Sequence, residues 1–506
     1  MITIKTSDFQ NCATAESRFT KLKHLHASAL ALGRTTKVVY EEGMTLDLEI
    51  PTGATSIPLT NYTDFNGCIL NVKNTNVTDF FLFSLSHSIV ASSCLLDNPN
   101  DYNVLKARER IERGDYSSLD DFPSGLVLIV LEDLNQWTTR EGYSEIVFLK
   151  DVILVKDKKA LNSKITSYNN SNPRYSYYET DGLQKSFGKV MFNRDVTSTK
   201  QTRLLHIKGE NEVRIHDLSI YTPPESLSMG THPSYIDDRC IYVEASANVY
   251  FEDIYVDGTY SDTMSAGYAF RLDTIWNTSF RRVRGDALWG ISCGYRLNVA
   301  TIDSCEINRF DSHCLCRDFA YYDTVIKSSY ANGKNAYCQL SSAYGYMRFD
   351  HCTFWNCRPI ILEASYNAFT GFDLIFEHCT FYVKKEYYFL IQGFQLDNNI
   401  NERLELQNKC LPNITMHSCH FRLPSDFGIN VNGNVLRRYY LFHFENPDAT
   451  LYQNTIGHIR YINMESVDIS YDGEGQISVY LCNRALTFPS NLIRHCDDFC
   501  TFSSIS

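Results

Sequence analysis

Several features that mark common protein classes are missing from this chain of 506 residues. It contains no apolar run long enough to span a membrane. Basic residues are also in the minority, with 47 Lys and Arg against 59 Asp and Glu and a net charge of −12. Because phosphate binding needs a basic surface, this balance argues against nucleic acid as the main partner. A highly anionic glycan is disfavoured too, unless a basic groove forms locally.

The familiar catalytic motifs are absent as well. There is no Gly-rich phosphate loop, no nucleophile elbow and no His-Glu-x-x-His pair. Cys314-x-Cys316 and the pair Cys352 and Cys357 have no matching second pair, so a zinc site is not expected. The sequence therefore predicts no cofactor and no metal-binding residues, and it leaves metal dependence open.

No secretory leader is visible, because residues 1–10 are mixed and polar. We therefore expect the chain to fold in a cytoplasm, with its 17 cysteines reduced. In such a setting a buried cysteine acts as a small apolar residue. Aromatic residues are abundant at 13%, which favours stacked core residues and leaves room for sugar-stacking platforms.

A hexamer recurs along the chain and organises it. Its clearest copies are residues 349–354 (FDHCTF) and 376–381 (FEHCTF), which start 27 residues apart. Seven further windows share its frame: 215–220, 251–256, 280–285, 302–307, 325–330, 416–421 and 464–469. The first position is apolar in all of them, and the fourth is small or aliphatic. Four of the fourth positions are cysteines: Cys305, Cys352, Cys379 and Cys419.

The spacing of these windows predicts a solenoid. Successive starts lie 22 to 48 residues apart, the range expected of a coil repeat. The shortest intervals are too short for a strand–helix–strand unit of about 30 residues. Short parallel strands joined by turns fit instead, and a column repeated on successive coils would stack inside. The longer intervals are expected to add loops on one side.

The N-terminus fits the same picture. A helix is predicted over residues 15–32, with Thr14 as its N-cap and Gly33 at its end. Together, the helix, the short strands after it and the repeats resemble the right-handed parallel β-helix of pectate-lyase-like and polygalacturonase-like enzymes and of phage tailspikes. The resemblance implies an all-β fold, a right-handed parallel β-helix with an N-terminal capping helix and loop insertions. Fold alone does not fix function.

Four segments are predicted along the chain. Residues 1–96 form the N-terminal cap and first coils, and 97–203 an insertion or irregular early coils. Residues 204–447 form the regular coils, and 448–506 a C-terminal coil, cap or oligomerisation segment. Solenoid ends need such caps, since open terminal strands would recruit other chains.

The resemblance implies a lateral groove lined by outward-facing residues of neighbouring coils. Hydrolysis there needs two carboxylates, and β-elimination needs a base. The richest cluster follows the coils between residues 284 and 317, and Asp286, Asp311 and His313 are its predicted catalytic residues. Six residues are predicted to bind sugar: Trp289, Arg309, Tyr321, Tyr322, Arg358 and Glu363. In the simpler alternative, Asp and Asn cap turns and Arg pairs with Asp on a solvated face.

Two other groups are less favoured. Asp237 and Asp238 resemble the paired aspartates of polygalacturonase-like enzymes, but the expected Asn-Thr-Asp and Gly-His-Gly motifs are absent. A loop turn is the simpler interpretation. Four further histidines are interpreted as residues of the repeat frame rather than as ligands or bases: His351, His378, His417 and His420.

The leading hypothesis is a phage tailspike-like or tail-fibre-like protein that binds host surface polysaccharide, with cleavage by a hydrolase or lyase mechanism left open. It predicts a virion protein made in the host cytoplasm, a homotrimer, and contacts with other phage tail proteins. It predicts neither nucleic acid nor a membrane span. The alternatives are a secreted bacterial polysaccharide lyase or glycoside hydrolase, and a non-catalytic structural or adhesion β-helix.

Overall fold

The structure is a computed structural model of the chain. The residues it describes are 1–77, 80–87, 91–94, 110, 113–117, 124–139, 146–162, 173–194, 202–221, 240–257, 268–285, 290–314, 316–327, 338–340, 343–356, 358–363, 371–385, 388–395, 411–431, 434–444, 459–473, 477–483 and 493–496. They divide into two compact units. Unit 1 comprises residues 1–137, 148–292 and 296–298, and unit 2 comprises residues 138–147, 293–295 and 299–506.

Strands dominate the first part of the chain. A short 3₁₀ helix spans Thr6–Phe9, and one α-helix, α1, spans Ala15–Ala31. The strands there are β1 (Ile2–Ile4), β2 (Lys37–Tyr40), β3 (Thr45–Glu49), β4 (Ile57–Pro58), β5 (Tyr62–Lys73), β6 (Phe80–Ser86), β7 (Ala91–Cys94), β8 (Leu126–Thr139), β9 (Ile146–Lys156), β10 (Lys159–Ala160), β11 (Pro173–Glu179), β12 (Lys185–Arg194), β13 (Thr202–Lys208), β14 (Asn211–Tyr221), β15 (Ile241–Asp257), β16 (Tyr268–Arg281) and β17 (Arg284–Gly285).

The remaining described elements are all strands. They are β18 (Gly290–Asp303), β19 (Glu306–Ile307), β20 (Phe310–Cys314), β21 (Cys316–Tyr322), β22 (Val325–Lys327), β23 (Cys338–Leu340), β24 (Ala343–Asp350), β25 (Thr353–Trp355), β26 (Ile360–Glu363), β27 (Gly371–Glu377), β28 (Thr380–Tyr382), β29 (Phe389–Gln395), β30 (Asn413–His417), β31 (His420–Leu423), β32 (Ile429–Val431), β33 (Asn434–Leu436), β34 (Arg438–Phe444), β35 (Ile462–Glu465), β36 (Asp468–Tyr471), β37 (Ser478–Cys482) and β38 (Ile493–Cys496).

The fold is a right-handed parallel β-helix, as the sequence predicts. In unit 2 the strands align in three parallel rows, so that each coil contributes one strand to each row. One row runs β24, β27, β30 and β35, and a second runs β25, β28, β31 and β36. The third runs β26, β29, β34 and β37.

The helix α1 confirms the predicted N-terminal cap. Thr14 accepts a hydrogen bond from the Ser17 backbone N–H at 3.1 Å, and Ser17 returns the capping contact. The helix packs against β2, β3 and β4, and buries Phe19 and Leu22 at the end of the core. His26 is buried there too, with its Nε2 2.8 Å from the Tyr40 hydroxyl.

Unit 1 also contains a second sheet, in the order β10-β9-β8-β11-β7. In it β11 pairs antiparallel with both β7 and β8. The sheet lies inside the predicted insertion, residues 97–203, apart from β7. By β12 the chain is back in the coil, because β12 pairs in parallel with β5 on one side and β14 on the other. The predicted segment boundaries stay predictions.

Each hexamer is a corner of the coil, either between two strands or within one long strand such as β14 or β15, and its third residue makes the bend. In the copy that starts at Phe349, β24 ends at Asp350, His351 has φ 53°, and β25 begins at Thr353. Positions 1 and 4 of a straight strand would face opposite sides. The left-handed residue turns the chain, so that positions 1, 4 and 6 all face the core. Other third positions in this conformation are Asp217, Asp253, Arg282, Ser304, His378, Ser418 and Ser466.

The interior columns form as predicted. Phe349 stacks between Tyr321 and Phe376, with ring centroids 4.5 Å and 5.2 Å away. The thiol of Cys352 donates to the Tyr321 carbonyl at 3.5 Å, and Cys379 donates to the Phe349 carbonyl at 3.4 Å. Burial raises the pKa of the Cys379 thiol far above its ordinary value, so it stays protonated.

One predicted window is wrong in register. Val325 pairs with Thr353, so the copy begins at Tyr321 rather than at Val325. Its fourth position is Thr324, whose hydroxyl is satisfied in the core by donating to the Tyr322 carbonyl at 2.8 Å. A further copy spans residues 187–192, with Phe187 aligned to Ile215. The sequence pattern does not reveal this copy, because apolar and polar residues alternate along β12 and the third residue of the copy is a lysine.

Candidate functional site

A grid of polar side chains covers the outer face of β13, β15 and β16 in unit 1. The grid comes from three tetrapeptides that alternate apolar and polar residues: 205–208 (LHIK), 241–244 (IYVE) and 270–273 (FRLD). His206 is the register partner of Tyr242, and Tyr242 that of Arg271. In the next row, Lys208, Glu244 and Asp273 are partners in the same way. The apolar residues between them are buried in the coil, so these side chains face outward.

The first row is a stack of rings with a cation at each end. The rings of Phe81 and His206 are stacked with centroids 5.0 Å apart, and those of His206 and Tyr242 are 5.1 Å apart and nearly parallel at 6°. The guanidinium of Arg203 lies 5.1 Å from the Phe81 ring centre, and that of Arg271 lies 5.1 Å from the Tyr242 ring centre. All three rings are half-buried, so part of each is open to solvent. Such rings offer apolar area with polar edges, which suits an amphipathic ligand.

Glu244 lies at the centre of the second row. Its Oε1 is 3.0 Å from His206 Nε2 and 3.1 Å from Lys208 Nζ, and its Oε2 accepts from the Tyr242 hydroxyl at 3.4 Å. Burial raises the pKa of the Glu244 carboxyl, but the hydrogen bond from His206 and the charge of Lys208 outweigh it and lower the pKa below its ordinary value. Glu244 is therefore an ionised acceptor with about a quarter of its side chain exposed.

Asp273 is held in the same ionised state from the other side. It pairs with Arg296, whose Nε is 3.1 Å from Oδ1, and accepts from the Thr274 hydroxyl at 2.7 Å. Burial opposes ionisation, but the charges of Arg296 and Arg271 lower the pKa of the Asp273 carboxyl. Burial, together with the charges of Asp273 and Glu244, raises the pKa of Tyr242 well above its ordinary value. Tyr242 is thus a neutral hydroxyl donor between two ionised carboxylates.

The second sheet of unit 1 borders this grid. Tyr178 packs with Ala245 and Ala247, and its pKa is raised to about 12 by burial and then by the charge of Glu244. Gly209 has φ +69°, and a Cβ placed there would lie 2.3 Å from the Tyr178 ring. Only glycine therefore allows Tyr178 to approach. The inserted sheet thus lies beside Glu244 and borders one side of the grid.

The structure places the sequence-predicted site residues elsewhere. Arg309 and Asp311 form an ion pair, Nε to Oδ1 2.6 Å, and neither side chain has exposed surface. Tyr321 is buried in the core, and Tyr322 is half-buried. Arg358 is half-buried and donates to the Gln392 side-chain carbonyl at 3.0 Å.

Four other predicted residues cannot be placed in this way. Asp286 and Trp289 lie outside the described residues. His313 and Glu363 lie in β20 and β26, at positions whose side chains are outside the description. The catalytic and sugar-binding roles of the nine residues stay predictions. The structure brings Arg309 and Asp311 together, as the simpler alternative expected, but in the interior rather than on a solvated face.

The outer grid has a sequence signal that the hexamers overshadow. Its tetrapeptides start at residues 205, 241 and 270, each ten residues before a hexamer start at 215, 251 and 280. A second alternating strand at a constant offset from the repeat would have identified it. The two Asp of residues 237–238, the other sequence-level candidates, lie outside the described residues.

The chain shares its fold with a known tailspike. It is similar to the Gp54 tailspike of Acinetobacter baumannii bacteriophage AP22, solved in complex with A. baumannii capsular saccharide. The TM-score is 0.56 at 8% identity, over 98% of this chain and 76% of that one. At this identity the likeness shows the fold alone.

Two other solved structures resemble the chain less well. The tailspike gp49 of Pseudomonas phage LKA1 gives a TM-score of 0.45 at 13% identity, over 95% of this chain and 76% of that one. Endo-xylogalacturonan hydrolase from Aspergillus tubingensis gives 0.44 at 10% identity, over 99% of this chain and 100% of that one. The sequence itself matches no family model and no curated protein. Among the described residues, no helix is long and apolar enough to cross a membrane.

Proposed function

We propose that this chain is a tailspike-like protein that binds a cell-surface polysaccharide on the outer face of β13, β15 and β16. The observation that carries the proposal is the row of stacked rings of Phe81, His206 and Tyr242, flanked by Arg203 and Arg271. A sugar ring has an apolar face and a polar rim. The rings supply the first kind of contact, and the charged groups beside them supply the second.

The charge of this face admits acidic as well as neutral sugars. Among the described residues, the grid brings together four basic side chains, Arg203, Lys208, Arg271 and Arg296, with the carboxylates of Glu244 and Asp273, although the whole chain is acidic. The grid thus carries a local excess of basic side chains, which an anionic glycan requires. The shared fold with a tailspike solved in complex with capsular saccharide supports the same ligand class.

Cleavage is a second candidate, and one observation favours it. Glu244 and Asp273 are register partners on adjacent parallel strands, which lie about 4.8 Å apart. Retaining glycosidases hold their two carboxyl groups about 5–5.5 Å apart. Such enzymes also need a carboxyl group that stays protonated, whereas both carboxyls here have lowered pKa values. The electrostatics of the grid therefore favour binding over hydrolysis.

A binding and digestion assay tests both candidates. The full chain is incubated with capsular polysaccharides from a panel of bacteria, and bound glycan, new reducing ends and ultraviolet absorbance of unsaturated uronate are followed. Binding without products supports a receptor-binding protein. Reducing ends alone indicate a hydrolase, and reducing ends with absorbance indicate a lyase. Binding that is unaffected by Tyr242→Ala and Arg271→Ala contradicts the proposed face.

The proposed role also implies assembly into a virion. A tailspike-like role predicts a homotrimer attached to other tail proteins. Sedimentation equilibrium of the purified full chain measures the first point. A mass of three chains agrees with the proposal, and a monomer instead favours a secreted enzyme of the same fold.

A further inference from the structure

A cluster of two imidazoles and one carboxylate lies on unit 2, away from the core columns. Asp350, His351 and His378 each place a ligand atom within 4.8 Å of the others. Both histidines are exposed, with about 60% and 46% of their side chains accessible. No part of the glycan-binding proposal uses these residues.

The repeated corner builds this cluster. His351 and His378 occupy the third position of adjacent hexamers, with φ 53° and 52°. The His351 backbone N–H donates to the Glu377 carbonyl at 2.9 Å, and that of His378 donates to the His417 carbonyl at 2.9 Å. These bonds hold successive corners in register. As a result, the two imidazole rings are stacked with centroids 4.5 Å apart.

A single carboxylate oxygen faces both rings. Asp350 Oδ1 lies 2.8 Å from His351 Nδ1 and 3.4 Å from His378 Nδ1. Its other oxygen accepts from Arg348 Nη2 at 3.2 Å, and Arg348 also pairs with Glu377. Because Glu377 balances the charge of Arg348, the cluster with neutral imidazoles keeps a net negative charge. A cation is therefore not repelled from it.

We propose that Asp350, His351 and His378 bind a late first-row divalent cation such as Zn²⁺. Two imidazole nitrogens with one carboxylate suit Zn²⁺, Cu²⁺ or Ni²⁺, whereas Ca²⁺ and Mg²⁺ prefer all-oxygen sites. A tetrahedral ion with bonds of about 2.0–2.2 Å needs ligand atoms about 3.3 Å apart. Because both histidines are exposed, rotation of their side chains can bring their ring nitrogens to that spacing. Three protein ligands leave the fourth position to water or to an external ligand.

The sequence alone predicts no metal site here, because the four histidines are interpreted as residues of the repeat frame. The structure separates them. His417 meets His378 only edge-on, with centroids 5.6 Å apart, and His420 pairs with Asp468 on another corner. Of these four histidines, only His351 and His378 share one carboxylate, that of Asp350, among the residues that the structure describes.

Metal titration of the full chain, without a polyhistidine tag, tests the proposal. Zn²⁺ is added in a calorimeter, and Co²⁺ is added while its visible absorption bands report tetrahedral coordination. The wild type should bind one Zn²⁺ per chain, unaffected by millimolar Mg²⁺ or Ca²⁺. His351→Ala, His378→Ala and Asp350→Asn should each weaken binding at least about tenfold, the scale that even outer-sphere changes reach at metal sites.

His420→Ala is the matched control, since His420 is also an exposed histidine beside a carboxylate. It should bind Zn²⁺ like the wild type. Circular dichroism verifies that each variant is folded, which the exposure of both histidines leads us to expect. The proposal is overturned if the wild type shows no saturable binding. It is equally overturned if the three variants bind as tightly as the wild type, or if His420→Ala loses the same site.

Discussion

Two carboxylate–arginine pairs of this protein differ in what surrounds them. The pair of Asp273 and Arg296 lies on the outer face of unit 1, with 13% and 9% of its side chains exposed, beside a stack of half-buried rings. The pair of Arg309 and Asp311 in unit 2 has no exposed surface. The same residue types thus make a candidate binding face in one place and an interior ion pair in the other. Burial and neighbours decide between these roles, and substitutions in each region test that difference.

The largest expected effect is on stability in unit 2. Asp311→Ala leaves the Arg309 guanidinium buried without its carboxylate, which costs about 3–5 kcal/mol of unfolding free energy. Urea denaturation followed by circular dichroism measures the loss. The double variant Arg309→Met with Asp311→Leu should recover most of it, since an apolar pair replaces a buried charge pair at little cost. A stable Asp311→Ala protein would mean that this pair is accessible to solvent after all.

The next effect is on ligand binding in unit 1. Tyr242→Ala removes the ring at the centre of the stack and should weaken glycan binding at least about tenfold, or about 1.4 kcal/mol. Titration with the polysaccharide found in the binding assay measures it. The control is Tyr255→Ala. Tyr255 lies on the same strand, is 52% exposed and lies outside the grid. Equal losses in both variants would show that Tyr242 has no special role.

The third effect appears only at acidic pH. The pKa of Glu244 is lowered in the folded protein, so its ionisation stabilises the fold above its ordinary pKa of about 4.3. That contribution is lost as the pH falls through the lower folded value. The Tm difference between the wild type and Glu244→Gln should therefore shrink as the pH falls below about 4.

A second variant links this pH dependence to its cause. His206→Gln removes a hydrogen-bond partner of Glu244. In the His206→Gln background, the Tm difference between the proteins with Glu and with Gln at position 244 should therefore be smaller. A Tm difference that is equally large in the presence and absence of His206 would contradict the assigned cause. So would a Tm difference that grows as the pH falls below about 4.

The smallest effect is expected at Lys208. Its Nζ lies 3.1 Å from Glu244, but about a third of its side chain is exposed. Exposed ion pairs contribute about 0.2–1 kcal/mol, and salt screens them. Lys208→Ala should therefore cost less than about 1 kcal/mol in thermal unfolding, and less still at high salt. A loss as large as that of Asp311→Ala would erase the distinction between the two regions.

Much of the architecture could be predicted from the sequence because the corner repeats its chemistry. Apolar residues at positions 1, 4 and 6 of the hexamer predict which side chains are buried. Thr14 and Gly33 mark the ends of α1. The copy at Tyr321 was missed because its fourth residue, Thr324, is polar by type. In the structure its hydroxyl is satisfied by backbone carbonyls, a contact that pattern alone does not reveal.

The candidate sites were harder to predict because they depend on which coils become neighbours. Glu244 and Asp273 are 29 residues apart in sequence but are partners across two strands. Residues 308–313 contain Asn, Arg, Asp and His in close succession, which reads as an exposed cluster. The structure turns Arg309 and Asp311 into the protein instead. Residue type therefore identified charged groups, whereas only the strand register showed which ones meet at the surface.

Hydrogen–deuterium exchange with and without bound polysaccharide tests the central claim most directly. Binding on the outer face of unit 1 should slow exchange in peptides that cover residues 205–208, 241–244 and 270–273. Tyr242→Ala should abolish that protection at the same glycan concentration. Protection confined to peptides that cover residues 308–322, with none on the outer face of unit 1, would contradict it.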